Sequence, residues 1–403
     1  MIFAGMKSKF NLLYIKTLNL LQFLVTRFFI FLIQLEKQRC TPKTLLLIRL
    51  DLIGDYVIVR NFFYSLKNSK KYSHYRITLA GNIIWKELAE HFDKGAIDEF
   101  IWIDRVSFYR NLIYKIKILK QIYQRGYEVV IDSTYTREIL YGDALVKASN
   151  AAQRIGSSGA LDVYAKWKRN FLSDGYYTEL IPATENALFE FYRNLEFFQQ
   201  LLEEKISIQN LHIHVSDVEL NELLFSSYVV IVPGASDNKR RWSPANFALI
   251  IEEFSGIEPL NFVICGSNAE NQIANEILSS LKTNKVINLC GKLKLSQLVK
   301  VISKAMLLIS NETGTIHIAA STKTPFVCIS NGNHFGRFHP YPAEVFDKAI
   351  FVYPPKIKAH LTDPDYLQEK YRFGSELDIN TVPVQDVREA VNKQIFNLFH
   401  LQQ

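Results

Sequence analysis

The chain has 403 residues, 48% of them hydrophobic and 22% charged, with 47 Lys+Arg against 40 Asp+Glu for a net charge of +7. This length suits two domains better than one core, and the composition excludes a disordered or fibrous chain. The positive balance favours anionic partners such as nucleotides, phosphorylated glycolipids and membrane surfaces; without zinc-finger spacing or an RNP-type strand, nucleic acid is not an expected partner.

Residues 10–35, FNLLYIKTLNLLQFLVTRFFIFLIQL, are strongly apolar but broken by Lys16 and Arg27. A spanning helix needs roughly 20 consecutive apolar residues, so an in-plane amphipathic helix is preferred over a spanning anchor or a helix packed on the protein itself. Lys7, Lys9, Lys37 and Arg39 flank the segment and suit lipid phosphates on the inner face of a membrane. The four cysteines (Cys40, Cys265, Cys290, Cys328) are scattered and form no C-x-x-C pair. Reduced thiols and a cytoplasmic setting follow, rather than a disulfide framework.

After Pro42 short apolar runs alternate with amphipathic stretches. Strands are predicted at 45–50, 77–80, 100–103 and 129–131, with helices near 56–67, 83–91, 109–124 and 138–150. The second half repeats the pattern, with strands at 228–232, 262–265, 286–289, 307–309 and 326–329. Its helices are expected at 245–255, 268–282, 295–304, 315–322 and 384–399. The alternation predicts an α/β protein of two parallel-sheet, Rossmann-like domains with a cleft at the carboxyl ends of the strands. The expected division is a membrane-associating segment 1–40, an acceptor domain 41–215, a donor domain 216–382 and a C-terminal helix 383–403.

Three strand-to-helix turns carry chemistry. The first is Arg49-Leu-Asp51-Leu-Ile-Gly54-Asp55. Gly54 allows a tight turn and close backbone approach. Asp55 is either a helix cap or a general base that takes a proton from an attacking hydroxyl. A helix start favours the ionised carboxylate, so a base there needs a neighbouring diphosphate to raise its pKa. The second turn, Pro233-Gly-Ala-Ser236, leads into Lys239-Arg240-Arg241-Trp242. Its small residues let N–H groups approach an anion, and its cations suit a diphosphate. The third is Ser310-Asn-Glu312-Thr313-Gly314-Thr315-Ile-His317, where Thr313, Gly314 and Thr315 offer donors to phosphate and Glu312 suits sugar hydroxyls. His317 is either structural or chemical. A smaller turn, Cys265-Gly266-Ser-Asn-Ala-Glu270, suits a nucleoside or is a plain helix start. Neither Glu312 nor His317 stands in a metal-binding pattern, so no protein-bound catalytic metal is expected. The G-x-G-x-x-G of a dinucleotide-dependent epimerase is absent after the first strand.

In these residues the chain resembles the family 9 glycosyltransferases, the heptosyltransferases of lipopolysaccharide core assembly. LLLIRLDLIGD matches the family's R-x-D-x-x-G-D, VPGASDNKRRWSP its P-G-A-S and K/R-R-W segment, and SNETGTIHIAA its S-N-D-T-G-P-x-H-x-A-A, in the same order. The resemblance covers roughly residues 44–345. It implies a GT-B fold and inverting transfer without metal or other cofactor. The co-substrate would be a nucleotide sugar, usually ADP-heptose, and the acceptor a lipid-linked acidic saccharide at the inner membrane face. Carried over, Asp55 is the base and Arg240 holds the diphosphate, with Lys239, Arg241, Ser236, Thr313, Gly314 and Thr315 beside it. Glu312 holds the donor sugar, and Gly266 and Glu270 meet the nucleoside. Arg137 is the expected acceptor contact. Glu312 stands for the usual Asp and Thr315 for the usual Pro, and Asn331–Tyr341 departs from the family's loop, with Arg337 as a further anion contact. These departures leave open a transferase with another nucleotide sugar, or a non-catalytic nucleotide-sugar-binding protein.

Overall fold

Apolar runs without polar alternation become strands buried on both faces, because helices cover a parallel sheet from each side. In the computed structural model, which describes residues 2–160, 166–185, 187–208, 210–220 and 225–400, twelve strands form two sheets, the central ones of this kind. The first half holds β1 Thr41–Arg49, β2 Arg76–Asn82, β3 Glu99–Ile103, β4 Tyr127–Asp132, β5 Gln153–Ser157 and β6 Glu179–Ile181. The second holds β7 Tyr228–Val232, β8 Asn261–Ile264, β9 Val286–Asn288, β10 Leu307–Asn311, β11 Phe326–Ile329 and β12 Ala349–Val352. Every pairing is parallel.

The orders are β3-β2-β1-β4-β5-β6 and β12-β11-β10-β7-β8-β9. The second is the first pattern repeated, so each half reverses strand order once, between β1 and β4 and between β7 and β10. Helices on the two sides of a reversal diverge and leave a crevice at the carboxyl ends of the strands. All three expected motifs follow one of these four strands. The two-domain, GT-B-type arrangement is therefore present.

The edge and near-edge strands β5, β6 and β12 were not predicted. QRIGS and ELI carry too few apolar positions to read as buried runs, and AIFV is apolar but only four residues long. The helix expected at 109–124 is two, Arg105–Arg110 and Leu112–Arg125, because Asn111 caps the second by accepting from Tyr114 N–H at 3.0 Å. The helix Glu190–Leu202 was missed altogether. Its Phe191, Phe197, Phe198 and Leu201 join a core that runs on through Leu211 and Ile213 to Tyr228 and Val230, so one apolar cluster ties the halves together. Between Leu202 and Tyr228, where the domain boundary is expected, the described residues form no helix or strand; 209 and 221–224 lie outside the described residues.

Residues Ile2–Gln34 form one helix, of which Lys16–Gln34 is long and apolar enough to cross a membrane. One face of it docks on the first half. Asn19 accepts from Tyr109 Oη at 2.6 Å, and Lys115 Nζ donates to Gln22 and Thr26 at 2.9 and 3.2 Å. Ile30 and Ile33 are buried, and Gln34 donates to the Lys147 carbonyl at 2.8 Å. The opposite face leaves Leu20, Leu21, Leu24, Phe28, Phe31 and Leu35 exposed. The side chains of Lys7 and Lys9 lie outside the described residues, as do Met1 and 401–403. The last helix, Val384–His400, buries Val387, Val391 and Ile395 with Val327 and Ile329 on the outer face of the second sheet.

Candidate functional site

The turns after β1, β4, β7 and β10 meet around a cleft of about 730 Å³ between the halves. Asp51, Gly54 and Asp55 line it from one side, and Ser236, Arg240, Glu312, Thr313, Gly314 and His317 from the other. A second cavity of about 640 Å³ opens from it at Ser236, Thr313 and Gly314, and is lined further by Gly266, Glu270 and Thr315. Leu293, Leu295, Leu298 and Val232 give that cavity an apolar wall.

Asp55 lies in the first turn of the helix Ile53–Val59 and is not its cap, which is Leu52. Its carboxyl is 16% exposed, with Arg337 Nη2 4.0 Å away. Burial and the nearby Asp51 carboxylate push its pKa up to about 7, against the pull of Arg337. No diphosphate is required for this rise, contrary to the expectation from the helix start. Asp51 is itself held by Arg49 at 2.5 Å, and Arg49 is anchored to the Ser133 carbonyl at 2.8 Å.

Gly54 is required by packing and not by a turn, since its φ is not positive. A Cβ there would lie 2.8 Å from His317 Cδ2, and one on Gly314 would lie 3.1 Å from the Gly54 nitrogen. Two bare glycine backbones thus let the helix Gly314–Ser321 of one half cross the helix Ile53–Val59 of the other beside the cleft. His317 is buried, and its Nδ1 is 2.5 Å from Tyr341 Oη. Burial lowers its pKa to about 4, which keeps it neutral. Its ring packs at this crossing and also lines the cleft.

Of the three cations Lys239, Arg240 and Arg241, one faces the cleft. A 3-10 turn spans Asn238–Arg240, and with three residues per turn successive side chains point about 120° apart. Arg240 Nη2 donates to the Glu312 carbonyl and carboxylate at 2.5 and 3.2 Å, and its buried Nε has no partner among the described residues. Lys239 points outward and pairs with Glu376. Arg241 Nε donates to the Ala235 carbonyl at 2.7 Å and shapes the loop. Lys239 and Arg241 line neither cavity, which corrects their expected place at the diphosphate.

Glu312, the expected contact for the donor sugar, lines the cleft with its carboxylate already hydrogen-bonded. It receives Arg240 on Oε1, and Ser330 Oγ at 2.7 Å and His339 at 3.2 Å on Oε2. His339 and Arg240 keep its pKa low despite burial. Thr313 caps the following helix, its Oγ1 lying 2.7 Å from that of Thr315. Glu270 closes a capping box with Ser267, accepting from its N–H at 2.7 Å. Added Cβ atoms on Gly234 and Gly266 would lie 2.5 and 2.9 Å from the Glu270 side chain, so both glycines are there to let it lie flat.

Arg137 is a correction. It is buried, pairs with Asp174, lies 3.9 Å from Asp143 and stacks 4.5 Å over the Tyr177 ring. The buried Asp143 and the partly exposed Asp174 hold it inside the first half, away from the cleft lining. Sequence reasoning missed Arg105, Thr134, Thr136 and His334, all of which line the cleft, and Glu190, which accepts from Arg337 Nε at 2.8 Å. Only Arg337 carried a signal, as a lone cation in an atypical loop.

A sequence profile of glycosyltransferase family 9 (heptosyltransferase) matches residues 115–347. A lipooligosaccharide heptosyltransferase 2 of Campylobacter jejuni is 32% identical over 115 residues, 28% of this chain and 36% of that one. A lipopolysaccharide heptosyltransferase 3 of Escherichia coli K12 is 23% identical over 286 residues, 69% of this chain and 77% of that one. Among solved structures, a family 9 glycosyltransferase from Veillonella parvula superposes with a TM-score of 0.67 at 17% identity, covering 88% of this chain and 98% of that one. The E. coli heptosyltransferase WaaC with ADP superposes at 0.64 and 12%, covering 88% and 98%. These superpositions share the fold. The profile match covers more than half of the sequence, and the chain belongs to glycosyltransferase family 9, the heptosyltransferases.

Proposed function

We propose that the protein transfers a sugar, heptose from ADP-heptose, to a hydroxyl of a lipid-linked acidic core saccharide, with inversion and without a bound metal. The observation that carries this reading is that Asp55 and Arg240 line one cleft from opposite halves, with the Thr313–Gly314 helix start beside Arg240. The nucleoside lies in the cavity walled by Leu293 and Leu298, near Gly266 and Glu270. The diphosphate then meets Arg240, Ser236 and the positive end of the helix that Thr313 caps. Asp55 takes the acceptor hydroxyl proton, and the oxygen attacks the anomeric carbon from the face opposite the diphosphate. The bond from that carbon to the phosphate oxygen breaks, and ADP leaves with the electron pair. A carboxylate of pKa about 7 is half ionised at neutral pH and suits this work.

The exposed apolar stripe of the N-terminal helix supports attachment in the plane of the inner face of a membrane, where a lipid-linked acceptor is found. Its opposite face docks on the first half, which argues against spanning. Asp55→Asn should lower kcat about 10²- to 10⁴-fold, while protection by ADP against thermal unfolding stays as in the wild type. Turnover surviving this change would remove Asp55 as the base. A panel of nucleotide sugars in the same assay identifies the donor.

A further inference from the structure

Past Asp55 and Arg337 the cleft continues into another cavity, of about 440 Å³, which the transfer step leaves without a task. The two share Thr136, His334 and Arg337. The walls come from both halves, with Tyr135, Arg193 and the carboxylates of Glu185 and Glu190 on one side and His334, Arg337 and Arg372 on the other. None of these residues touches the nucleoside cavity.

Each arginine is braced by an aromatic ring. Arg193 lies 4.1 Å over Tyr135, Arg337 4.7 Å over Phe338 and Arg372 4.2 Å over Phe373. Two are already met by carboxylates, Arg193 by Glu196 and Arg337 by Glu190, each at 2.8 Å. Arg372 has no ion-pair partner among the described residues. Its turn is pinned to the cleft loop, because His334 N–H donates to the Tyr371 carbonyl and the His334 ring meets the Arg372 carbonyl, both at 3.0 Å. A stacked guanidinium keeps its N–H edge for a bidentate acceptor, and that edge matches a carboxylate or a phosphate. The cation on the other side of the cleft, Arg105, is by contrast neutralised by Glu138 at 2.7 Å.

We propose that this cavity binds an anionic substituent of the acceptor saccharide, a phosphate or a carboxylate, with Arg372 as its main contact. The inference rests on reading the cleft as the transfer site. The nucleoside cavity and this one open from the cleft at different residues, with Asp55 and Arg337 on the path to the latter, so a donor seated in the first leaves the second to the attacking saccharide.

The test uses the full chain saturated with ADP and three probes: glucose 6-phosphate, glucuronate and glucose. One or both anionic probes should bind at least ~10-fold more tightly than glucose, and which does so separates phosphate from carboxylate. Arg372→Gln should remove that preference, Arg372→Lys should restore part of it, and neither should move Tm without ligand. Equal affinity for the three probes overturns the proposal, as does a preference that survives Arg372→Gln. A preference lost on Arg240→Gln and kept on Arg372→Gln would put the anion at the donor turn and also overturns it. Asp55→Asn should keep the binding preference. In the wild type, transfer that fails with every nucleotide sugar while the preference persists counts against the transfer reading alone, and a missing preference with transfer intact counts against this cavity alone.

Discussion

A carboxyl whose ordinary pKa is near 3.8 is held at about 7 at Asp55 by burial and by Asp51. kcat/KM should then rise with pH through an acid limb near pH 7. Asp51→Asn removes a like charge and should move the limb down; Arg337→Gln removes an opposing charge and should move it up. A pH profile with an unmoved limb in both variants would detach the limb from Asp55. The stability consequence has a definite sign. The native state holds this proton more tightly than the unfolded chain, so the group favours folding below about pH 3.8 and loses that contribution as pH rises through 7. Asp55→Asn should accordingly raise Tm relative to the wild type at pH 8, with the gain shrinking toward pH 4. The type and position of this residue were legible in R-x-D-x-x-G-D. Its pKa was not, because that depends on burial and, beyond Asp51 in the motif itself, on side chains from two distant segments, Arg337 and Glu190.

Elements decide which of the sequence candidates reach the cleft. The glycine pair at the crossing of Ile53–Val59 with Gly314–Ser321 tolerates no added methyl: Gly54→Ala places a Cβ 2.8 Å from the His317 ring. That variant should lose activity through spreading of the halves, and His317→Ala in the same chain should recover part of the loss. Strict additivity of the two changes would refute the steric account. Arg137 belongs to this scale as well. Arg137→Met strands buried Asp143 and should cost about 3–5 kcal/mol of stability without raising acceptor KM in the molecules that remain folded. A rise in acceptor KM at unchanged Tm would return Arg137 to the binding site. Sequence placed the Lys239–Arg241 cluster correctly after β7, yet only the turn's geometry selects Arg240.

At the scale of the molecule, the two sheets repeat one strand order and bring their reversal points face to face. Contacts between the halves hold this arrangement. The Glu87 carboxylate accepts from Ser296 N–H at 2.7 Å, and the Arg337 carbonyl accepts from Glu190 N–H at 2.8 Å. The N-terminal helix gives one face to this body and offers the other to its surroundings. Replacing Leu24, Phe28, Phe31 and Leu35 together with polar residues should leave Tm unchanged, since all four are exposed. It should also abolish co-sedimentation with vesicles containing anionic lipid. Retained co-sedimentation would refute the role given to this stripe.

Periodicity and local motif determined the α/β class, the doubled organisation and the strand-to-helix turns that carry Asp55, Arg240 and Thr313, because these depend on neighbours a few residues away. Tertiary structure alone decided that Arg137 is interior, that Lys239 and Arg241 face away, that Glu312 pairs with Arg240, and that Arg337 stands by Asp55. Each of these outcomes is a contact between segments far apart in the chain, and burial and charge pairing across such distances leave no periodic trace along it.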